Sequence, residues 1–226
     1  MKYEIQGGQL PVAVCDLEAG EEVFTQSGGM SWMGGRMVMS TKMDGGLMKG
    51  LGRAVSGESM FMNTYKADGG PGMIAFASSF PGSIVAVDLE PGKSIICQKK
   101  AFLAASRTVT LAAHLQKKMG AGFFGGEGFI MQRITGPGTV FLEIDGAAIE
   151  YDLQPGVTMQ VDTGHVAIMD ETVKLNITAI KGVGNVLFGG EGLFNTTLTG
   201  PGHVWLQSMP IANVARSIKP FVAKSN

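Results

Sequence analysis

Three glutamates, Glu58, Glu127 and Glu191, hold one position in three copies of a glycine-rich motif: SGESMFMNTY from Ser56, GGEGFIMQRITGPGTVFL from Gly125 and GGEGLFNTTLTGPGHVWL from Gly189. If the copies close around a common axis, the three carboxylates form a ring able to bind a cation. The simpler reading, which we favour, is that each carboxylate accepts backbone N–H bonds inside its own tight turn, where one carboxylate satisfies several donors. The other chemically capable residues are scattered. His114, His165 and His203 fall at three different places in the repeated unit, so symmetry does not gather them into a zinc site or beside a nucleophile. Cys15 and Cys97 have no neighbouring histidine and no C-x-x-C spacing, and read as buried thiols. GAGFFG, residues 120–125, is a literal G-x-G-x-x-G, but a dinucleotide site needs a helix after it. Here the pattern after it is that of a strand, and two phenylalanines would crowd a pyrophosphate. No Ser/His/Asp grouping and no nucleophile elbow occur. The chain is therefore expected to be non-catalytic, with no cofactor and no dedicated metal.

The elements that would carry these residues repeat. A Val/Ile-rich strand ending in Asp-Leu and a turn reads VAVCDLEAGE (12–21), IVAVDLEPGK (84–93) and AIEYDLQPGV (148–157). With the glycine-rich motif it defines three units, at about 10–80, 82–144 and 146–208. Within a unit the apolar pattern has period two. Val140, Leu142 and Ile144 point one way and Phe141 the other; Val204 and Leu206 repeat this against Trp205. Six Pro-Gly pairs, at 71–72, 81–82, 91–92, 137–138, 155–156 and 201–202, predict type II turns. After Pro210, Ile211, Val214, Ala215 and Ile218 recur at helical spacing until Pro220, which predicts a short amphipathic C-terminal helix over 210–220 packed on the sheet.

The fold class is therefore all-β: three pseudo-symmetric, jelly-roll-like (double-stranded β-helix-like) sandwich repeats around a pseudo-threefold axis. A unit this small and this poor in charge would struggle to bury its own edges, so residues 1–226 are read as one domain. Apolar residues make up 45% and charged residues 16% of the 226, which supplies a core and argues against disorder. The formal net charge is −1, and no basic run exceeds Lys-Lys, which argues against nucleic acid as a partner. The N-terminal MKYEIQGGQLPV has no apolar core of a secretion signal, and no apolar run approaches the roughly 18 residues that span a bilayer. A cytoplasmic location is the expectation.

With these repeats in view, the chain resembles the altered inheritance of mitochondria protein 24 family. The residues that carry the resemblance are GGLMKGLGRAVSGESMFMNTY (45–65), KKAFLAAS (99–106), both GGEG…GPG hairpins and LQSMPIANVARSI (206–218). The resemblance implies a fold similar to the tryptophan RNA-binding attenuation protein, with three β-subdomains around a pseudo-threefold axis. It implies no catalytic residues. Mitochondrial members are linked to inner-membrane organisation; lacking a transit peptide, this sequence resembles the prokaryotic branch.

Function is then expected to be binding or scaffolding. Phe141 and Trp205 lie opposite a face that is already apolar, so both faces of their strands need cover, from layering within the chain or from a homo-oligomer. The first alternative is a small-ligand binder using clefts between the β-repeats. The second is an adaptor at a membrane surface or protein partner through Leu47, Met48, Leu51 and Arg53, where apolar and basic side chains alternate in a glycine-rich connector.

Overall fold

The computed structural model describes residues 1–40, 62–117, 128–179 and 194–222. They are almost all strand. In chain order these are β1 (Lys2–Gln6), β2 (Val12–Leu17), β3 (Glu22–Gln26), β4 (Trp32–Ser40), β5 (Met62–Ala77), β6 (Gly82–Leu89), β7 (Ser94–Gln98), β8 (Phe102–Ser106) and β9 (Thr110–Lys117). There follow β10 (Phe129–Thr135), β11 (Gly138–Asp145), β12 (Ala148–Leu153), β13 (Thr158–Asp162), β14 (Val166–Asp170), β15 (Lys174–Ala179), β16 (Phe194–Thr199) and β17 (Gly202–Gln207). One helix, α1 (Ile211–Ile218), closes the order.

Every strand pairing is antiparallel. One sheet runs β1-β2-β5-β3-β8-β11-β6, with β4 also on β5; a second runs β12-β17-β14-β7-β10-β9; a third runs β13-β16-β15. The order β6-β11-β8 recurs as β12-β17-β14, and β7-β10-β9 recurs as β13-β16-β15. Strand β8 joins β3, and β14 joins β7, by the same kind of lateral pairing.

Local chemistry explains the corners. After each Asp-Leu strand the chain reverses through a four-residue turn: Glu18–Glu21, Glu90–Lys93 and Gln154–Val157. The fourth N–H meets the first carbonyl at 3.0 Å in each. Gly20, Gly92 and Gly156 take φ of 91°, 77° and 79°, the conformation that the third position of a type II turn requires. The other four Pro-Gly pairs depart from expectation. Pro71-Gly72 lies inside β5 and Gly82 begins β6. At Gly136-Pro137 and Gly200-Pro201 the peptide bond is cis, so these corners are not type II turns. A Cβ on Gly136 would sit 2.6 Å from the carbonyl oxygens of Leu89 and Glu90; on Gly200 it would sit 2.5 Å from those of Leu153 and Gln154. Tight backbone contact across the sheet sets these two corners.

Both faces of β11 are covered within the chain. Val140, Leu142 and Ile144 enter one core with Phe24, Phe102 and Ile134. Phe141 enters another with Cys15, Ile74 and Phe76. Its ring meets Tyr3 of β1 edge-on at 5.0 Å between centroids. A third core gathers Phe129, Met131, Met169, Leu198 and Val204. Layering within the chain thus supplies the cover that Phe141 requires. Trp205 is half-buried, its ring 4.1 Å from that of His203.

Helix α1 forms where its spacing predicts, but it docks more shallowly than an amphipathic helix laid flat. No residue of it is fully buried, and Ile211 and Ile218 are 45% and 51% exposed. Its attachment is chiefly polar and at its first turn, as described next.

Candidate functional site

Strand β11 alternates cleanly until its end. Phe141 is buried; two and four residues on, the same face carries Glu143 and Asp145. Two carboxylates thus follow a buried aromatic on one strand face. Glu143 is held by the segment that links β5 to β6. Its Oε2 accepts from Ser78 Oγ at 3.1 Å and from the Ser79 N–H at 2.7 Å, and Ser79 Oγ lies 3.0 Å from both carboxylate oxygens. Burial pushes its titration up, against the pull of the serine bonds and with a smaller push from Asp145. Asp145 Oδ2 accepts the Ile211 N–H at 2.8 Å, satisfying one of the donors that a helix leaves open at its start. Burial raises the titration of Asp145 as well, opposed by that N–H and by Lys100.

Two glutamines complete the floor. Gln98 ends β7 and is 9% exposed; its Nε2 donates to the carbonyls of Gly164 and Val166. Gln207 ends β17 and is 6% exposed; its Nε2 donates to Gly164 O at 2.7 Å and its Oε1 accepts from the Asp145 N–H at 3.2 Å. His165 Nδ1 lies 2.7 Å from Gln207 O, and its Nε2 lies 3.3 Å from Asn213 Nδ2 of α1. A carbonyl only accepts, so Nδ1 carries the proton and Nε2 receives the asparagine N–H. Asp145 and His165 therefore pin the helix from below.

Between floor and helix is a cavity of about 280 Å³. Ser79, Gln98, Lys100, Ala101, Glu143, Asp145 and Gln207 line its floor and sides, and Pro210, Ile211, Ala212 and Ala215 its roof. A 3-10 turn at Lys99–Ala101 brings in Lys100 and Ala101. The acids come from β11, Gln207 from β17 and the roof from α1 with the preceding Pro210. The cleft is a junction.

Glu58, Glu127 and Glu191, the connector residues Leu47, Met48, Leu51 and Arg53, and the 120–125 glycine motif are all outside the described residues. A strand, β10, is the next described element after that motif. The histidines stay apart: His114 is on β9, His165 beneath α1 and His203 on β17. His203 Nδ1 meets Asp152 Oδ1 at 2.6 Å and its Nε2 meets Glu150 Oε2 at 3.1 Å. Burial works against its proton, but the bonds to Asp152 and Glu150 outweigh it and raise its titration. His114 titrates lower than an ordinary histidine, through burial first and Arg133 second. Among the described residues no group of three His, Cys, Asp or Glu is arranged to hold a metal. Both thiols are free and buried, and burial pushes each up to about 12. Among the described residues no helix is long and apolar enough to cross a membrane.

A signal for the cleft exists in the sequence. Aligning the units on their Pro-Gly pairs matches Phe141, Glu143 and Asp145 with Trp205, Gln207 and Met209, and with Ala75, Ala77 and Ser79. Polar groups at alternate positions beyond a buried aromatic mark a face that turns from core to cavity.

Residues 3–209 match the family model described as Mitochondrial biogenesis AIM24. The chain belongs to the AIM24 family. The AIM24 match includes the floor acids and Gln207 and stops one residue before Pro210, so α1 lies beyond it. The chain is 32% identical to an uncharacterized protein of Streptococcus pyogenes serotype M6, over 96% of this chain and 89% of that protein. It is similar to the crystal structure of protein SPYM3_0169 from Streptococcus pyogenes, with a TM-score of 0.77 and 28% identity over 98% of this chain and 99% of that one.

Proposed function

We propose that this AIM24-family protein is a non-catalytic binding protein, and that a small ligand occupies the cleft between the second and third units beneath α1. The observation that carries the reading is a cavity of about 280 Å³ floored by two half-buried carboxylates and two buried glutamines. Polar groups taken this far from water are costly unless something meets them, and such convergence inside a mostly apolar recess is what ligand sites look like. The absence of a turnover role is favoured by the side chains themselves. Cys15 and Cys97 are buried with raised titration, and His203 is engaged by two acids at the surface. The test is a thermal-shift survey of chemically sorted small molecules on the full chain, repeated on Ala215→Trp, which fills the cleft from the roof. A stabilising compound whose effect Ala215→Trp removes supports the site; a hit insensitive to that change refutes it.

The three units are read as copies of one module around a pseudo-threefold axis, folded as one domain over 1–226. The recurring strand orders, the two equivalent lateral joints and the three matching turns support this. A homo-oligomer is the second reading. Strand β4 pairs only with β5 among the described residues, and carries Trp32, Met33, Val38 and Met39 exposed. An apolar, unpaired edge favours association. Light scattering decides it: a monomer mass at all concentrations removes the reading. The cytoplasm is the proposed location, resting on the two unpaired thiols.

A further inference from the structure

The cleft has a donor–acceptor imbalance that points to one class of ligand. Gln98 is buried and spends its amide N–H groups on the Gly164 and Val166 carbonyls, while its Oε1 accepts nothing among the described residues. Asp145 uses Oδ2 for the Ile211 N–H, and its Oδ1 accepts nothing among them. Glu143 Oε1 has only the Ser79 hydroxyl, which it shares with Oε2. All three side chains line the same cavity. On the donor side the Ser79 and Gln207 groups are already committed to Glu143 and Gly164. The floor therefore offers three acceptor oxygens, two of them on carboxylates, and Lys100 as the one cation among the lining residues. The roof is Pro210, Ile211, Ala212 and Ala215, which offers carbon.

We propose that the cleft binds a small primary amine in its ammonium form, the –NH3⁺ resting on Gln98, Glu143 and Asp145 and a short apolar chain lying under α1. This rests on the cleft being the binding site. An ammonium has three donors and no acceptor, the complement of the floor. A carboxylate ligand would face two carboxylates. An alcohol brings one donor and leaves two oxygens unmet. Charge-assisted bonds to half-buried carboxylates are the stronger kind. The volume, at the lower end for ligand sites, restricts the tail to a few carbons. Lys100 repels the bound cation and so limits affinity.

The experiment is isothermal titration of the full chain with n-pentylamine, n-pentanol and pentanoate at neutral pH. Pentylamine is expected to bind at least roughly tenfold more tightly than either of the others, the worth of one charge-assisted bond. Asp145→Asn keeps an acceptor for the Ile211 N–H and is expected to weaken pentylamine by a similar factor; Glu143→Gln provides a second test if that variant folds poorly. Lys100→Met is expected to tighten pentylamine. Pentanol or pentanoate binding as well as pentylamine, no binding of pentylamine, or indifference to both acid substitutions overturns the ammonium assignment. Ala215→Trp separates the two levels. If pentanol or pentanoate binds in place of pentylamine and Ala215→Trp blocks it, the cleft stands without the amine; if pentylamine binds Ala215→Trp unchanged, both proposals fall.

Discussion

Phe141→Ala tests whether β11, the strand that carries Glu143 and Asp145, is fixed by its aromatic on the side away from the first core. Phe141 is fully buried among Cys15, Ile74 and Phe76 and meets Tyr3 edge-on at 5.0 Å. Truncating a buried phenylalanine costs about 3–5 kcal/mol, transfer and cavity together. The Tyr3 contact supplies about 0.5–1.5 kcal/mol of that as ring–ring interaction. For 226 residues, an unfolding entropy of about 2.1 cal/mol/K per residue makes each kcal/mol worth about 2 °C. The expected fall in Tm is thus about 6–10 °C, read by circular dichroism. Tyr3→Ala and the double variant complete the cycle, and the coupling should match the ring–ring figure. A Tm within about 2 °C of the parent, on the same conversion, would refute the placement of Phe141 as a sealed core residue.

Asp145→Asn is expected to raise the Tm of the ligand-free protein at neutral pH. Asp145 titrates above an ordinary aspartate, chiefly through burial, so its charged form disfavours folding. The gain should shrink as pH falls through the raised value and the parent carboxyl protonates; a lower Tm for the variant at neutral pH contradicts this. His203 has a raised titration, so its stabilisation is whole below the ordinary histidine value and is lost as pH rises through the folded one. His203→Gln should therefore lose more stability at pH about 6 than at about 8.5, and a gap in Tm that does not change with pH would count against the Asp152–His203–Glu150 bonds. Cys15 and Cys97, buried and pushed up to about 12, should resist a thiol reagent until the chain unfolds; reaction of either in the native state would show that its strand opens locally. Gly136→Ala and Gly200→Ala place a Cβ against equivalent pairs of carbonyls, and each should cost about 1–3 kcal/mol by chemical denaturation, similar to one another.

Much of the fold was legible because its signals are local. Alternation in VAVCDL, IVAVDL and AIEYDL needs only the period of a strand, and Gly92 and Gly156 announce their turns by what glycine permits. The helical spacing after Pro210 gave α1 almost to the residue. The corners at Pro137 and Pro201 were misread because dipeptide preference says nothing of the carbonyls of Leu89 and Leu153 packed against the preceding glycines. The shallow docking of α1 was missed for a like reason. Its anchors, Asp145 and His165, are remote in sequence, and an apolar stripe alone does not say how deep a helix sinks.

By itself the sequence determined the strand class and the family, since each depends on residue type at short or ordered spacing. Only the tertiary structure decided that Glu143 and Asp145 line a cleft. A strand's own pattern states which face a carboxylate takes, whereas what stands opposite that face is fixed by residues 78–79, 98–101, 207 and 210–215, brought there by chain crossings that no local rule encodes.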